Sequence, residues 1–219
     1  MDVRAVAFDL DETLATVVRP RADLLATATD RADAPALSRE EYLDAHAEHS
    51  GADTREPVFA ALLDGRDTAA TPADVAAAYR EAVTDALAPV PGAPALVASL
   101  RERYPVGLLT DGPVATQEDK LDRLGWRALF DATVVTGSLP EPKPDAGAFL
   151  ALAAALGVPV ESVVYVGDHP VNDVEGARDA GMVPVQVLYD GGPDPHPDAA
   201  ATVERDALAE ALPTVLDGL

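Results

Sequence analysis

Val6-Ala7-Phe8-Asp9-Leu10-Asp11-Glu12-Thr13-Leu14 is the stretch that decides the fold. An apolar run ending in two carboxylates reads as a buried strand delivering acids at its carboxyl end, the edge where open α/β sheets bind ligands. Carboxylates at i and i+2 in that slot can divide labour, one attacking as nucleophile and the other moving protons. Phosphoryl transfer through an aspartyl phosphate uses that division. A chain with 25 Asp places such pairs by chance, however, so the pair acquires meaning only from its company.

Three further clusters stand where alternating strand and helix patterns put the ends of other strands. Val106-Gly107-Leu108-Leu109 runs into Thr110-Asp111-Gly112, a hydroxyl followed by backbone amides at a helix start, which makes an anion site. Glu141-Pro142-Lys143-Pro144-Asp145 holds a lysine in a loop stiffened by two prolines. Val163-Val164-Tyr165-Val166 runs into Gly167-Asp168-His169-Pro170-Val171-Asn172-Asp173, whose carboxylates can hold a hard cation.

The ordered set D-x-D-x-T, T-D-G, K-P and G-D-x-x-x-N-D resembles the haloacid dehalogenase-like hydrolase superfamily in its phosphatase branch, across essentially the whole chain. Thr110-Asp111-Gly112-Pro113 followed by Gln117 and Lys120-Leu121 is similar to the subgroup of pyrimidine 5′-nucleotidases and N-acylneuraminate-9-phosphate phosphatases. Asp111 departs from the Asn carried by many relatives. The resemblance implies a Mg²⁺-dependent phosphomonoesterase with Asp9 as nucleophile and Asp11 as the acid and base. It implies metal ligands from the Asp9 carboxylate, the Asp11 backbone carbonyl and Asp168, with Asp173 bound through water or supporting the site and partnering Lys143. Thr110 is expected to bind phosphoryl oxygens with the amides around Asp111 and Gly112, and Lys143 to sit between a carboxylate and the phosphate, where a compact ammonium fits better than a guanidinium. Thr13 has a turn-stabilising and a catalytic reading. His169 is given no catalytic role, and Lys120 reads as a solvated charge on a polar helix face.

Thirty-eight acidic residues oppose sixteen basic ones, for a net charge of −22, and only two of the sixteen are Lys. Such a surface repels nucleic acid and anionic lipid, so the expected partner is a small phosphorylated substrate, with no nucleic acid and no membrane; oligomeric state is not legible. An Asp-rich, Ala-rich, Lys-poor composition resembles proteins of salt-accumulating archaea, and halophilic adaptation is expected, because molar salt screens the self-repulsion. With no cysteine, disulfides and thiolate chemistry are excluded. No signal peptide or membrane-length apolar stretch is seen, so a soluble, cytoplasmic protein is expected.

The fold class expected is α/β, a Rossmann-like parallel sheet with helices on both faces, plus a small helical cap of the C1 type. Residues 1–15 and 90–219 form the core and 16–89 the cap. Within the cap, Ser38 with Glu41 reads as a capping box and Thr71-Pro72 with Asp74 as a helix start, and Val75, Ala78, Tyr79, Ala82, Val83, Ala86 and Leu87 recur at helical spacing. The cap is expected to hold the leaving group, with His46, His49, Arg55 and Phe59 as candidates. In the second half, strands are expected at 106–110, about 132–136, 162–167 and 183–188, and helices at about 93–103, 114–124, 145–156, 173–180 and 203–216. A 2-haloacid dehalogenase would use the same nucleophile without needing Asp11, Asp168 or Asp173. A sugar phosphomutase shares the constellation, and a scaffold that lost its chemistry would not keep every group.

Overall fold

The computed structural model describes residues 2–49 and 54–219. The chain divides into two compact units, Met1–Thr16 with Ala88–Leu219, and Val17–Leu87. It starts with β1 (Ala5–Phe8), leaves the first unit through the short β2 (Ala15–Val17), passes, among the described residues, four helices, and returns through β3 (Leu87–Pro89), which pairs with β2.

The helical unit contains α1 (Arg21–Arg31), α2 (Arg39–Glu48), α3 (Glu56–Leu63) and α4 (Pro72–Asp85). Its ends form as the local chemistry dictates. Ser38 and Glu41 make a reciprocal capping box on α2, and the Thr71 hydroxyl accepts from the Asp74 amide at the start of α4. The periodic face of α4 is buried from Val75 to Ala86. At the centre the rings of Tyr42, Phe59 and Tyr79 lie 5.1 to 5.8 Å apart, and such pairs contribute about 0.5–1.5 kcal/mol each beyond area burial. Phe59 is therefore core of this unit, fully buried, and not the ligand contact its sequence position had offered. Arg55 donates to the Tyr42 hydroxyl and its Nη1 lies 3.4 Å from His46 Nε2, while Arg39 stacks over the Tyr42 ring at 5.0 Å. Burial and these two guanidiniums hold His46 below its usual range.

The larger unit continues with α5 (Ala93–Leu100), β4 (Val106–Thr110), α6 (Val114–Leu124), β5 (Ala132–Val135), α7 (Ala146–Leu156), β6 (Val163–Gly167), α8 (Gly176–Ala180), β7 (Val183–Leu188), β8 (Ala201–Glu204) and α9 (Leu208–Gly218). Six strands form one parallel sheet in the order β5-β4-β1-β6-β7-β8. Every residue of β1, β4 and β6 is buried, as the near-continuous apolar runs require of a sheet covered on both faces. One side is filled by Leu109, Phe149, Leu152 and Tyr165, with the Phe149 ring edge-on to Tyr165 at 5.0 Å.

Two elements differ from the sequence expectation. Residues 201–204 form an edge strand paired with β7, and the closing helix begins only at Leu208. Four residues with one buried apolar side chain, Val203, are too few to display a period of two beside the strong helical pattern that follows. The helix expected at 173–180 is preceded by a wide π-type turn over Pro170–Glu175, capped by His169 Nδ1, which accepts from the amides of Val171 and Asn172.

Candidate active site

The sheet order places the topological switch point between β1 and β6, and the crevice beyond their carboxyl ends is where such sheets collect ligands. In register, Phe8 lies opposite Leu108 on one side and Val166 on the other. Asp9 is thus the first residue past the end of β1, level with the last residues of β4 and β6, and its amide donates to the Val166 carbonyl at 2.9 Å. The chain then turns sharply. The Leu10 carbonyl accepts from the amides of Leu14 and Ala15, and Glu12 takes a left-handed conformation with φ of 59°. The turn brings Asp11 back beside the same crevice.

Asp9, Asp168 and Asp173 each offer a carboxylate oxygen within 4.8 Å of the others. Asp168 follows β6 directly, and Asp173 is returned to the strand end by the π turn. Its Oδ2 accepts from the His169 amide at 2.9 Å. Gly167 makes this return possible, since a Cβ there would lie 2.5 Å from the Asp173 Cγ. Lys143 reaches the cluster from the loop between β5 and α7, donating to Asp9 Oδ1 at 2.8 Å and Asp173 Oδ1 at 2.7 Å. The Tyr165 hydroxyl lies 3.2 Å from both Lys143 Nζ and Asp173 Oδ1.

Charge is unbalanced in this group. Burial, and then the neighbouring Asp173 and Asp11, push the Asp9 carboxyl well up against the pull of Lys143. Burial and the Asp173 charge push Asp168 up to about 7. Burial works against the Lys143 ammonium, but Asp173 and Asp9 overcome it and hold its pKa well above the ordinary lysine value. One ammonium cannot neutralise three carboxylates in a low-dielectric setting. A donor set made only of oxygens, with a surplus of negative charge, fits a hard divalent cation.

The residues expected to face phosphate lie at the end of β4, the strand next to β1. Thr110 ends β4 fully buried, and among the described residues its hydroxyl has no hydrogen-bond partner; the same holds for the Thr13 hydroxyl. Buried hydroxyls without partners are rare and costly, so these two point to a polar ligand. The Asp111 carboxylate instead fastens loops together. It accepts from the Thr136 hydroxyl at 2.9 Å and the Lys143 amide at 3.1 Å, which fixes the loop that presents Lys143. Gly112 has φ of 125°, a region L side chains rarely adopt, and a Cβ there would meet Gln117 Nε2 at 2.9 Å. All eight residues singled out for chemistry (Asp9, Asp11, Thr110, Asp111, Gly112, Lys143, Asp168 and Asp173) lie in this unit and in the loops at one end of the sheet.

Lys120 corrects the expectation. It is 6% exposed, and its Nζ donates to both oxygens of Asp11, at 2.7 and 2.5 Å. Gln117, Lys120 and Leu121 share the buried face of α6. The signal was available in two facts: Gln117 and Lys120 sit one turn apart beside Leu121, and the chain spends only two lysines. Tyr165 and Tyr189 were also missed: Tyr165 stands in the apolar run of β6 and Tyr189 directly after β7, and only the fold shows their hydroxyls reaching Lys143 and, at 3.4 Å, Asp168.

The profile of the haloacid dehalogenase-like hydrolase family matches residues 3–181, and the chain belongs to that family. Among curated relatives, the glyceraldehyde 3-phosphate phosphatase of Methanopyrus kandleri is 34% identical over 142 residues, 63% of this chain and 61% of that protein. The N-acylneuraminate-9-phosphatase of Rattus norvegicus is 32% identical over 125 residues, 54% of this chain and 50% of that protein. The chain thus matches between half and three fifths of the length of these relatives, which are named for different substrates, and no subgroup stands out. Among solved structures, the HAD-hydrolase YfnB of Bacillus subtilis, bound to magnesium, has the same fold, with a TM-score of 0.78 at 20% identity over 99% of this chain and 100% of that one. Among the described residues no helix is long and apolar enough to cross a membrane.

Proposed function

We propose that the protein is a Mg²⁺-dependent phosphomonoesterase that hydrolyses a small phosphorylated metabolite through an aspartyl phosphate on Asp9. The observation that carries this reading is the convergence of carboxylate oxygens of Asp9, Asp168 and Asp173 within 4.8 Å, with the buried Lys143 ammonium paired to Asp9 and Asp173. Asp9, Asp168 and the Asp11 carbonyl would hold the cation, with Asp173 in support, and the cation would neutralise charge on the phosphoryl oxygens.

The remaining steps belong to the side chains. Lys143 aims the Asp9 carboxylate through Oδ1 and offsets its charge. An Asp9 oxygen forms a bond to phosphorus as the ester P–O bond breaks, and Asp11 gives its proton to the departing alkoxide. Asp11 then takes a proton from the water that attacks the acyl phosphate, and inorganic phosphate leaves with Asp9 restored. The Thr110 hydroxyl and the amides of Asp111 and Gly112 donate to the phosphoryl oxygens as charge builds. Nucleoside monophosphates, acylneuraminate 9-phosphate and short sugar or acid phosphates are the substrate classes in view, in the cytoplasm of a salt-accumulating cell.

A phosphate-release panel across those esters, with and without Mg²⁺ and in dilute and molar KCl, tests the reading. Metal-dependent release from at least one class supports it. A folded protein that releases none, or that converts a sugar phosphate to its isomer, contradicts it.

A further inference from the structure

We infer that Lys120 is a positioning residue for Asp11, an inference that rests on the reading of Asp11 as the proton-transfer group. Fourteen of the sixteen basic residues are Arg, and both exceptions place Nζ on carboxylates of the D-x-D pair: Lys143 on Asp9 and Lys120 on Asp11. On α6 the neighbouring charges Asp119, Asp122 and Arg123 face solvent, whereas the Lys120 side chain is only 8% exposed and that of Asp11 is 33% exposed.

Hiding an ammonium is costly unless it is paired, and a pair of this kind is commonly no more stabilising than an apolar residue of the same volume. A leucine or methionine at this place on the buried face of α6 would serve packing as well. What the ammonium adds is direction. Contacts of 2.7 and 2.5 Å to both oxygens fix the plane of the Asp11 carboxylate, which stands just before the left-handed residue Glu12. The grip comes from a helix of the same unit that also fastens the Asp111 carbonyl through Gln117. Lys120 therefore transmits the position of α6 to the atom that must meet the leaving oxygen.

The test compares kcat/KM for an alkyl phosphate, whose leaving oxygen needs a proton, with that for dinitrophenyl phosphate, whose leaving group departs without one. This ratio reports the first chemical step. Asp11→Asn serves as reference and Lys120→Gln as the variant. The expected result is a loss of about 10²-fold on the alkyl ester, the size of a general-acid contribution, with a loss at least tenfold smaller on the aryl ester. Lys120→Arg, which keeps the charge, recovers part of the ratio. Lys120→Met, which keeps the stem, reads the same ratio where the amide variant is unstable. A merely structural lysine would lower both esters by one factor, and that outcome overturns the inference, as does an unchanged or improved alkyl rate. Wild type inactive on both esters defeats the phosphatase reading itself. An alkyl-selective loss in Asp11→Asn but not at Lys120 defeats only the positioning role.

Discussion

The Nζ of Lys143 lies 2.8 Å from Oδ1 of Asp9, with both side chains buried. An ammonium at that distance in the interior is bound to the carboxylate's fate: removing it leaves Asp9 and Asp173 facing each other without compensation. Lys143→Met is expected to abolish turnover and to destabilise the metal-free fold by about 3–5 kcal/mol, as breaking a buried pair does. Saturating Mg²⁺ should restore much of the stability and none of the activity. Thermal melts with and without Mg²⁺ check this; a variant as stable as wild type without metal would contradict it.

Thr110 separates stability from activity in the opposite sense. Among the described residues its hydroxyl is buried without a partner, so Thr110→Val removes a polar atom that gains nothing in the unliganded fold. The melting temperature is expected to stay level or rise, while kcat falls by about 10²-fold, as for a lost oxyanion donor. A fall in stability would show that the hydroxyl serves the fold.

Metal binding should depend on pH through Asp168. Its folded pKa of about 7 lies above the ordinary carboxylate value of 3.8, so the folded state favours the protonated form. The metal-free protein therefore loses stability as pH rises from about 4 to about 7, and the loss is complete above 7. Mg²⁺ takes the ionised carboxylate and competes with that proton, so its affinity should fall by up to about tenfold per pH unit below pH 7. The Mg²⁺-induced rise in melting temperature is expected to be larger at pH 8 than at pH 6, by roughly the factor this linkage implies. Equal rises would remove Asp168 from the ligand set.

A net charge of −22 should make the fold depend on salt. Screening shortens the range of repulsion to a few ångströms at molar ionic strength, so the melting temperature is expected to climb steeply from dilute buffer to molar KCl. A flat response would assign the acidic surface to solubility alone.

Much of this architecture was legible because apolar runs and polar ends coincide. Strands 106–110 and 183–188 and helix 114–124 stand where periodicity places them. The site was legible because each chemical group follows a strand end: Asp9 after β1, Thr110 at the end of β4, Asp168 after β6. What escaped depended on direction. Periodicity cannot say that Lys120 turns inward when its neighbours Asp119 and Asp122 turn out, since all three are charged. Nor can it show that the hydroxyl of a core residue such as Tyr165 reaches an ammonium from a distant loop. Phe59 failed for the converse reason, because an aromatic residue near His46 and Arg55 fits a ligand surface and a bundle core equally well, and only packing against Tyr42 and Tyr79 decides.

The central claim is the covalent phosphoryl group on Asp9, and acid-quenched reaction with a radiolabelled phosphate ester and Mg²⁺ tests it most directly. Label is expected on the wild-type chain, in the peptide containing Asp9, held longer in Asp11→Asn and absent in Asp9→Asn. Phosphate released at the wild-type rate by Asp9→Asn, or label found on any other residue, would contradict the account.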